Sequence, residues 1–310
     1  MSRRTATVAC VTGAGTAPEL MAEAMLALEA VTRLHGLRIE EAHVPFGGVA
    51  MTRNGHTMPA ATRTAILEAD AVLVAGAEEA ALADVVRDLD VRAQMTRIRF
   101  GHRDDVVFVA PVDESASEWA IERAFKVAET RTLRLAAVGD GPWRDAVDAL
   151  AAAHEDVVVE HLSPRVAIPL AAFNASRFDV GVVAPQWAEP LIEIAAATAA
   201  ARVAAHGLLA EHGPSLFMPS PDGGFALAGA GVANPSSMLL AAAMMLDYGL
   251  DWPHAAATLA GATSAALVDG PRTPDLLRLG VGATSREFTS QVVAGFQVAN
   301  MNAEFWQGAA

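Results

Sequence analysis

The chain has 310 residues, of which 53% are hydrophobic, and this composition predicts a globular protein rather than an intrinsically disordered one. The formal net charge of −14 argues against nucleic acid as a partner, because phosphate binding requires a basic surface. The sequence contains no apolar run of membrane-spanning length, and its single cysteine, Cys10, fits a cytoplasmic location.

The first predicted element is a β-strand over residues 5–11, which alternates β-branched and small residues and buries Cys10. A turn containing Gly13 and Gly15 follows, and a helix is predicted from residue 18 to residue 34. Pro18 suits the first turn of that helix, and Glu19 complements its positive end. A strand, a glycine-rich turn and a helix in this order are typical of the start of an α/β domain.

Strands and helices continue to alternate along the chain. Further strands are predicted at residues 38–44, 71–75, 106–109, 133–138, 157–160 and 178–183. Further helices are predicted at residues 59–68, 118–130, 143–153, 190–209 and 235–246. The last two helices are apolar on most sides, which indicates burial, for example in a subunit interface.

Five short motifs follow one another along the chain: GAGTAPE at 13–19, ERAFKVA at 122–128, FDV at 178–180, AGAGVANP at 228–235 and GPRTPD at 270–275. They resemble the GDGIGPE, ERIxRxAFxxA, FDV, AGKGIANP and GxRTxD segments of the isocitrate/isopropylmalate dehydrogenase family. The resemblance covers about residues 5–296, nearly the whole chain.

The resemblance implies a two-lobed isopropylmalate-dehydrogenase-like α/β fold, with mixed sheets flanked by helices and an active-site cleft between the lobes. We assign residues 1–100 and 215–310 to the first lobe and residues 101–214 to the second. The resemblance also implies a homodimer, in which the helix at residues 190–209 takes part, and a small-molecule ligand.

Members of this family oxidise a 2-hydroxy acid with NAD or NADP and then decarboxylate it, and a lysine and a tyrosine transfer the protons. Here the family's VxDKANV segment is replaced by residues 138–143, which contain no lysine. Lys126 is the only lysine and Tyr248 the only tyrosine. We expect a solvated role for Lys126 because it lies in a predicted helix, and a structural role for Tyr248.

Other polar residues of the chain are candidates for the site. Glu189 and Glu193 occupy the positions of two metal-binding aspartates of the family, and their spacing of four places both on one helix face, where they could bind Mg²⁺ or Mn²⁺. The alternative is two glutamates without a ligand, one of them favoured by the helix dipole. As acids, bases or anion contacts we select four residues: Asp113, Glu114, Arg97 and Arg99.

The dinucleotide site is altered relative to the family. Gly13, Gly15 and Asn234 remain at cofactor-binding positions, although Asn234 before Pro235 is also typical of a turn. The family's HGSAPD segment corresponds to residues 221–226, which lack the histidine and the final aspartate. Residues 77–80 contain two glutamates that would repel a pyrophosphate. The sequence therefore argues against NAD(P) as a cofactor.

Three functions follow from these observations. The first is a divergent enzyme of the same fold, repurposed for non-redox, decarboxylase- or lyase-type chemistry on a small polar or anionic substrate. The second is a non-catalytic binding or regulatory homologue. The third is an NAD(P)-dependent 2-hydroxy-acid dehydrogenase with a relocated site.

Overall fold

The computed structural model describes residues 4–76, 79–100, 104–198, 203–220, 225–277 and 280–300. The chain divides into two compact units. The first unit is made of Met1–Asp90 and His212–Ala310, and the second of Val91–Glu211.

Strands and helices alternate in both units, which confirms the predicted α/β class. The strands are β1 (Thr5–Thr12), β2 (Arg38–Pro45), β3 (Ala71–Ala75), β4 (Val91–Phe100), β5 (Asp104–Pro111), β6 (Arg134–Val138), β7 (Val158–Leu162), β8 (Val180–Val183), β9 (Val203–Ala210) and β10 (Ser215–Pro219). The α-helices are α1 (Ala17–Leu34), α2 (Gly47–Asn54), α3 (Ala60–Glu68), α4 (Glu79–Asp88), α5 (Ser117–Glu129), α6 (Pro142–Ala151), α7 (Pro164–Asn174), α8 (Pro185–Thr198), α9 (Ser236–Met244), α10 (Pro253–Asp269) and α11 (Ser285–Ala294). Within the described parts of the chain, none of the helices combines the length and the apolar character needed to cross a bilayer.

The first unit is built on parallel strands in the order β2-β1-β3-β10. Every residue of β3 is buried. Its continuous apolar sequence is typical of a parallel strand that is covered on both faces. Helix α1 packs against α9, α10 and α11. Every residue of α9 except Ser237 is buried, as the apolar sequence around this helix predicts.

The second unit contains strands in the order β9-β4-β5-β8-β6-β7. Strand β4 is antiparallel to both of its neighbours, whereas β5, β8, β6 and β7 are parallel to one another. Apolar side chains on one face, among them Ile98, Val106 and Phe108, pack against α7 and α8. Helix α5 packs against β5, β8 and β6. The carboxyl ends of the four parallel strands therefore meet at one edge.

Two sequence predictions need correction here. The predicted helix at residues 190–209 ends at Thr198, and Val203–Ala210 forms β9 in antiparallel pairing with β4. Pairing with β4 outweighs the helix propensity of the alanines, because tertiary contacts commonly override intrinsic preference. Residues 91–100 had been placed in the first lobe. They form β4 and belong to the second unit, because both neighbours of β4 lie there.

Candidate functional site

The carboxyl edge of the second unit carries several of the polar residues selected from the sequence. Asp113 and Glu114 follow β5, Gly139 and Asp140 follow β6, and α8 starts at Pro185 directly after β8. In open α/β sheets, ligands bind outside the carboxyl ends of the strands. This edge is therefore the candidate ligand-binding site of the second unit.

Asp113 is held at this edge by its own turn. Its side chain accepts hydrogen bonds from the Ser115 hydroxyl at 2.6 Å and from the Ala116 backbone N–H at 3.2 Å. The hydrogen bond from Ser115 is the main cause that lowers the pKa of the Asp113 carboxyl. Asp113 and Glu114 are both exposed. An ionised, solvent-facing carboxylate at this position can accept a proton or contact a cation.

Arg97 and Arg99 do not share this edge with Asp113 and Glu114. Arg97 pairs with Val107 across β4 and β5, and Asp113 lies six residues further along the chain. At about 3.3 Å per residue, this places Arg97 roughly 20 Å from Asp113. Arg99 lies further away still, opposite Asp105. The expectation that these four side chains line one site is wrong for the two arginines.

The direction of Arg97 follows from strand geometry. Thr96 is fully buried, and its hydroxyl lies 2.9 Å from His206 Nδ1. Successive residues of a strand face opposite sides, so Arg97 extends to the other face. There its Nε pairs with Asp105. Arg97 thus points away from the face of β4 that carries Thr96 and His206.

A buried ion-pair network surrounds Asp105 at the amino end of β5. Arg131 donates from Nη2 to Asp105 Oδ1 at 2.8 Å and from Nε to Asp179 Oδ1 at 2.8 Å. Burial acts to raise the pKa of the Asp105 carboxyl, but Arg97 and Arg131 outweigh this effect and hold the pKa well below its usual range. No local sequence pattern predicts this network, because Arg131 is 26 residues from Asp105 and 48 from Asp179 along the chain.

The predicted metal pair lies in the second and third turns of α8. Glu189 and Glu193 are both exposed and stand four residues apart on one face of the helix. Neither carboxylate accepts a hydrogen bond from another described residue. No cluster of three candidate ligands among the described side chains includes either of them. The pair therefore offers two unengaged carboxylates, which fit a hydrated divalent cation that takes its remaining ligands from water or elsewhere.

The only lysine and the only tyrosine of the chain belong to different units. Lys126 is in the second half of α5, where its side chain is 58% exposed and its Nζ lies 3.0 Å from Glu122 Oε1. The solvated role expected for Lys126 is therefore confirmed. Tyr248 belongs to the first unit, in the π-helical segment Met245–Gly249 that continues α9.

A tryptophan fills the region in which the family has its lysine segment. Trp143, in the first turn of α6, is 8% exposed. A side chain at Gly139 would place its Cβ 2.3 Å from Trp143 Cδ1, so the indole packs directly on this glycine. The shortened segment after β6 is therefore closed by apolar packing. A Gly-x-Gly-Pro-Trp sequence is the signal from which this contact could have been anticipated.

The second unit also holds a histidine between two carboxylates. His154 Nδ1 lies 2.6 Å from Glu129 Oε1, and its Nε2 lies 2.9 Å from Glu122 Oε2. The ring stacks on Phe125, with centroids 4.6 Å apart. Its hydrogen bond with Glu122 is the largest of the causes that raise the pKa of His154. Because imidazolium can donate from both nitrogens, this arrangement favours the charged form.

Gly13 and Gly15 form the turn between β1 and α1 in the first unit. The Gly13 N–H donates to the Ala75 carbonyl at 2.9 Å, and a Cβ at Gly13 would lie 2.0 Å from the carbonyl oxygen of Gly76. Gly15 has φ 70°, in the left-handed region. Close packing against Gly76 thus explains the glycine at position 13, and the left-handed backbone explains the glycine at position 15. Their predicted contact with a cofactor stays a prediction.

Asn234 is engaged by its own surroundings. Its side-chain oxygen accepts from the Ser236 backbone N–H at 3.0 Å, and its amide donates to Asp275 Oδ2 at 2.9 Å. The turn before Pro235 is therefore confirmed as a role of this residue. Residues 77–78 and 221–224, on which part of the argument against a dinucleotide rests, lie outside the described residues.

Comparison with known proteins gives a consistent result. A family model described as isocitrate/isopropylmalate dehydrogenase matches residues 7–99 and 104–292. The chain is 30% identical to a 3-isopropylmalate dehydrogenase of Prochlorococcus marinus (strain MIT 9313), with 86% of this chain and 92% of the relative covered. It is 27% identical to the 3-isopropylmalate dehydrogenase of Lactococcus lactis subsp. lactis (strain IL1403), with 96% and 100% covered.

Solved structures share the fold at lower sequence identity. A beta-decarboxylating dehydrogenase from Thermococcus kodakarensis in its apo form matches with a TM-score of 0.82 at 22% identity, covering 94% of this chain and 96% of that one. Isocitrate dehydrogenase from Methylococcus capsulatus matches with a TM-score of 0.79 at 19% identity, covering 94% and 99%.

Proposed function

Because the chain belongs to the isocitrate/isopropylmalate dehydrogenase family, we propose that it is an enzyme of this fold that acts on a small hydroxy- or keto-acid anion without hydride transfer. The observation that carries the proposal is the position of Lys126. It lies on α5, paired with Glu122, in a chain that has no other lysine. This position supports the proposal that Lys126 does not perform the lysine-dependent proton transfer of the family.

Decarboxylation is the chemistry that remains closest to the family reaction. In a β-keto acid, the bond between the carboxylate carbon and the α-carbon breaks, CO₂ leaves, and the electron pair stays on the substrate as an enolate. A proton from water or from an acid then completes the product. The step is redox-neutral, so it requires no dinucleotide, and the altered cofactor positions do not prevent it.

The residues at the carboxyl edge of the second unit suit this chemistry. Glu189 and Glu193 would hold Mg²⁺ or Mn²⁺, which when bound polarises a substrate oxygen. Asp113 is kept ionised by the hydrogen bond from Ser115 and can accept a proton from a bound water or a hydroxyl group. Glu114 follows it and adds a second carboxylate for acid or base work.

A second candidate function is a dehydrogenase with a relocated site. It is favoured by the names of two relatives, since the proteins of Prochlorococcus marinus and Lactococcus lactis that match along most of the chain are 3-isopropylmalate dehydrogenases. In that case, another residue or a partner subunit would take over the work of the missing lysine. A non-catalytic homologue is the third candidate function.

We also propose that the chain forms a homodimer through α7. Phe173 is 91% exposed and Val166 is 54% exposed, and their spacing of seven residues places both on one face of α7 as a candidate apolar contact surface. Light scattering coupled to size exclusion tests this directly. Phe173→Glu should shift a dimeric chain toward monomer, whereas Val158→Glu on the edge strand β7 should not. An unchanged dimer in both variants would contradict the assignment to α7.

The function is tested by two assays run on the same purified protein. The first measures absorbance of reduced dinucleotide with isopropylmalate, isocitrate or malate and NAD⁺ or NADP⁺. The second measures CO₂ release from keto acids such as oxaloacetate with Mg²⁺ or Mn²⁺ and no dinucleotide. We expect activity only in the second assay, with a loss of at least tenfold in Glu189→Gln and little change in Lys126→Met.

Each alternative has its own result. Steady dinucleotide reduction would overturn the proposal in favour of the dehydrogenase. Inactivity in both assays, together with no thermal stabilisation by Mg²⁺, Mn²⁺ or dinucleotide, would favour the non-catalytic homologue. Glu29→Gln serves as the control for loss of a carboxylate, because Glu29 is an exposed residue of the first unit paired with Arg33.

A further inference from the structure

The guanidinium of Arg99 lies in an unusual environment at the amino end of β5. Arg99 is 7% exposed, and its Nε and Nη1 atoms are inaccessible to solvent. Among the described residues, neither nitrogen has a hydrogen-bond acceptor. Burial lowers the pKa of Arg99 to about 10, so the side chain is still charged at neutral pH. A charged group is therefore buried with at least two unsatisfied donors.

The surrounding charges do not compensate for Arg99. Asp105 is the carboxylate that attracts it, but this carboxylate already pairs with Arg97 and with Arg131. Asp179 in turn pairs with Arg131 and accepts from Thr132. Among the described residues of this network, both carboxylates are therefore engaged by other donors, and neither is within hydrogen-bond distance of Arg99 Nε or Nη1.

An uncompensated buried charge is costly. Removing an ion from water carries a penalty of several kcal/mol unless a counter-charge and hydrogen bonds replace the lost hydration. Arg97 and Arg131 add repulsion to this penalty, since both act to lower the pKa of Arg99. A bound anion would neutralise the charge of Arg99 and accept hydrogen bonds from its Nε and Nη1 atoms at the same time.

We propose that Arg99, with Arg97 and Arg131 beside it, binds a small oxyanion at the amino edge of the second unit. The chemistry is that of a carboxylate or a phosphate, because a guanidinium donates to the oxygens of both. The site lies at the opposite end of β5 from Asp113, so it is separate from the candidate active site. It does not depend on the reaction that the protein catalyses.

Thermal unfolding at constant ionic strength tests the site, with sodium phosphate or sodium acetate replacing sodium chloride. If the whole chain unfolds together, a hundredfold excess over Kd should raise Tm by about 4 °C. We expect a saturable rise with one of the two anions in the unmodified protein. The anion that acts at lower concentration identifies the ligand class. Calorimetric titration of the same anion into dialysed protein gives Kd directly.

Arg99→Met should abolish the response, and Arg99→Lys should weaken binding at least tenfold while keeping the charge. Arg134→Met is the matched control, because Arg134 begins the neighbouring strand β6 and its side chain is 60% exposed. It should respond like the unmodified protein. An equal response in Arg99→Lys and the unmodified protein would overturn the proposal, as would no response of the unmodified protein to either anion. The lysine variant keeps the test valid if the methionine variant does not fold.

Discussion

Replacing Asp105 by asparagine removes one charge from the network in the second unit and preserves the shape of the side chain. The Asp105 side chain is 8% exposed and pairs with Arg97 and Arg131. Arg131 would then keep the carboxylate of Asp179, whereas Arg97 and Arg99 would lose the carboxylate that attracts both of them. Removing one partner of a buried pair typically costs about 3–5 kcal/mol, because the remaining charge is left uncompensated.

This free energy can be converted into a change in melting temperature. With an unfolding entropy of roughly 2.1 cal/mol/K per residue, a chain of 310 residues that unfolds as one unit should lose about 5–8 °C. If the 121 residues from Val91 to Glu211 (211 − 91 + 1) unfold separately, the loss should be roughly 12–20 °C. Differential scanning calorimetry measures the shift, and the number of transitions shows which case applies.

The pH dependence provides a second check on Asp105→Asn. The pKa of Asp105 is depressed in the folded state, so its contribution is fully present above the unfolded pKa of about 4 and is lost as pH falls below it. The difference between the two proteins should therefore be constant from neutral pH down to about pH 5 and should narrow below about pH 4. Asp148→Asn is the control. Its side chain is 63% exposed beside His161, so it should cost less than about 1 kcal/mol. A cost this small for Asp105→Asn would refute the reasoning.

Three further predictions concern packing and protonation. Gly13→Ala should lower the free energy of unfolding of the first unit by about 1–3 kcal/mol, because the new Cβ would lie 2.0 Å from the Gly76 carbonyl oxygen. Calorimetry measures the corresponding fall in melting temperature. His154→Gln should lower the free energy of unfolding more at pH 6 than at pH 9, as measured by urea titration. The pKa of His154 is raised in the folded state, so its contribution to stability is complete below the pKa of the unfolded state and is lost as pH rises through the pKa of the folded state. Equal losses at both pH values would contradict the charged form. Cys10 is fully buried with its pKa raised to about 12, so it should react with a thiol reagent only after urea is added, and mass spectrometry of the native protein should find it unmodified.

The order of strands and helices could be predicted from the sequence because each of those elements carries a local signal. Continuous apolar runs marked the buried strand at residues 71–75, and the glycine-rich turn marked the start of α1. The family could also be recognised, because its motifs are contiguous segments that keep their order along the chain. The sequence alone also shows that Lys126 is the only lysine, and therefore that the segment corresponding to the family's lysine segment has none.

Only the tertiary structure decided which of these residues lie together. Residues 203–210 have a helix-forming alanine content, yet they pair with β4, because hydrogen bonding to a strand distant in sequence outweighs local preference. The separation of Arg97 and Arg99 from Asp113 follows from the antiparallel pairing of β4 with β5, which places the end of one strand beside the start of the other. The network of Asp105, Arg131 and Asp179 joins segments up to 74 residues apart (179 − 105), and no local pattern reports such a contact. Charge and burial at a position depend on its neighbours in space, and these are set by strand order and packing.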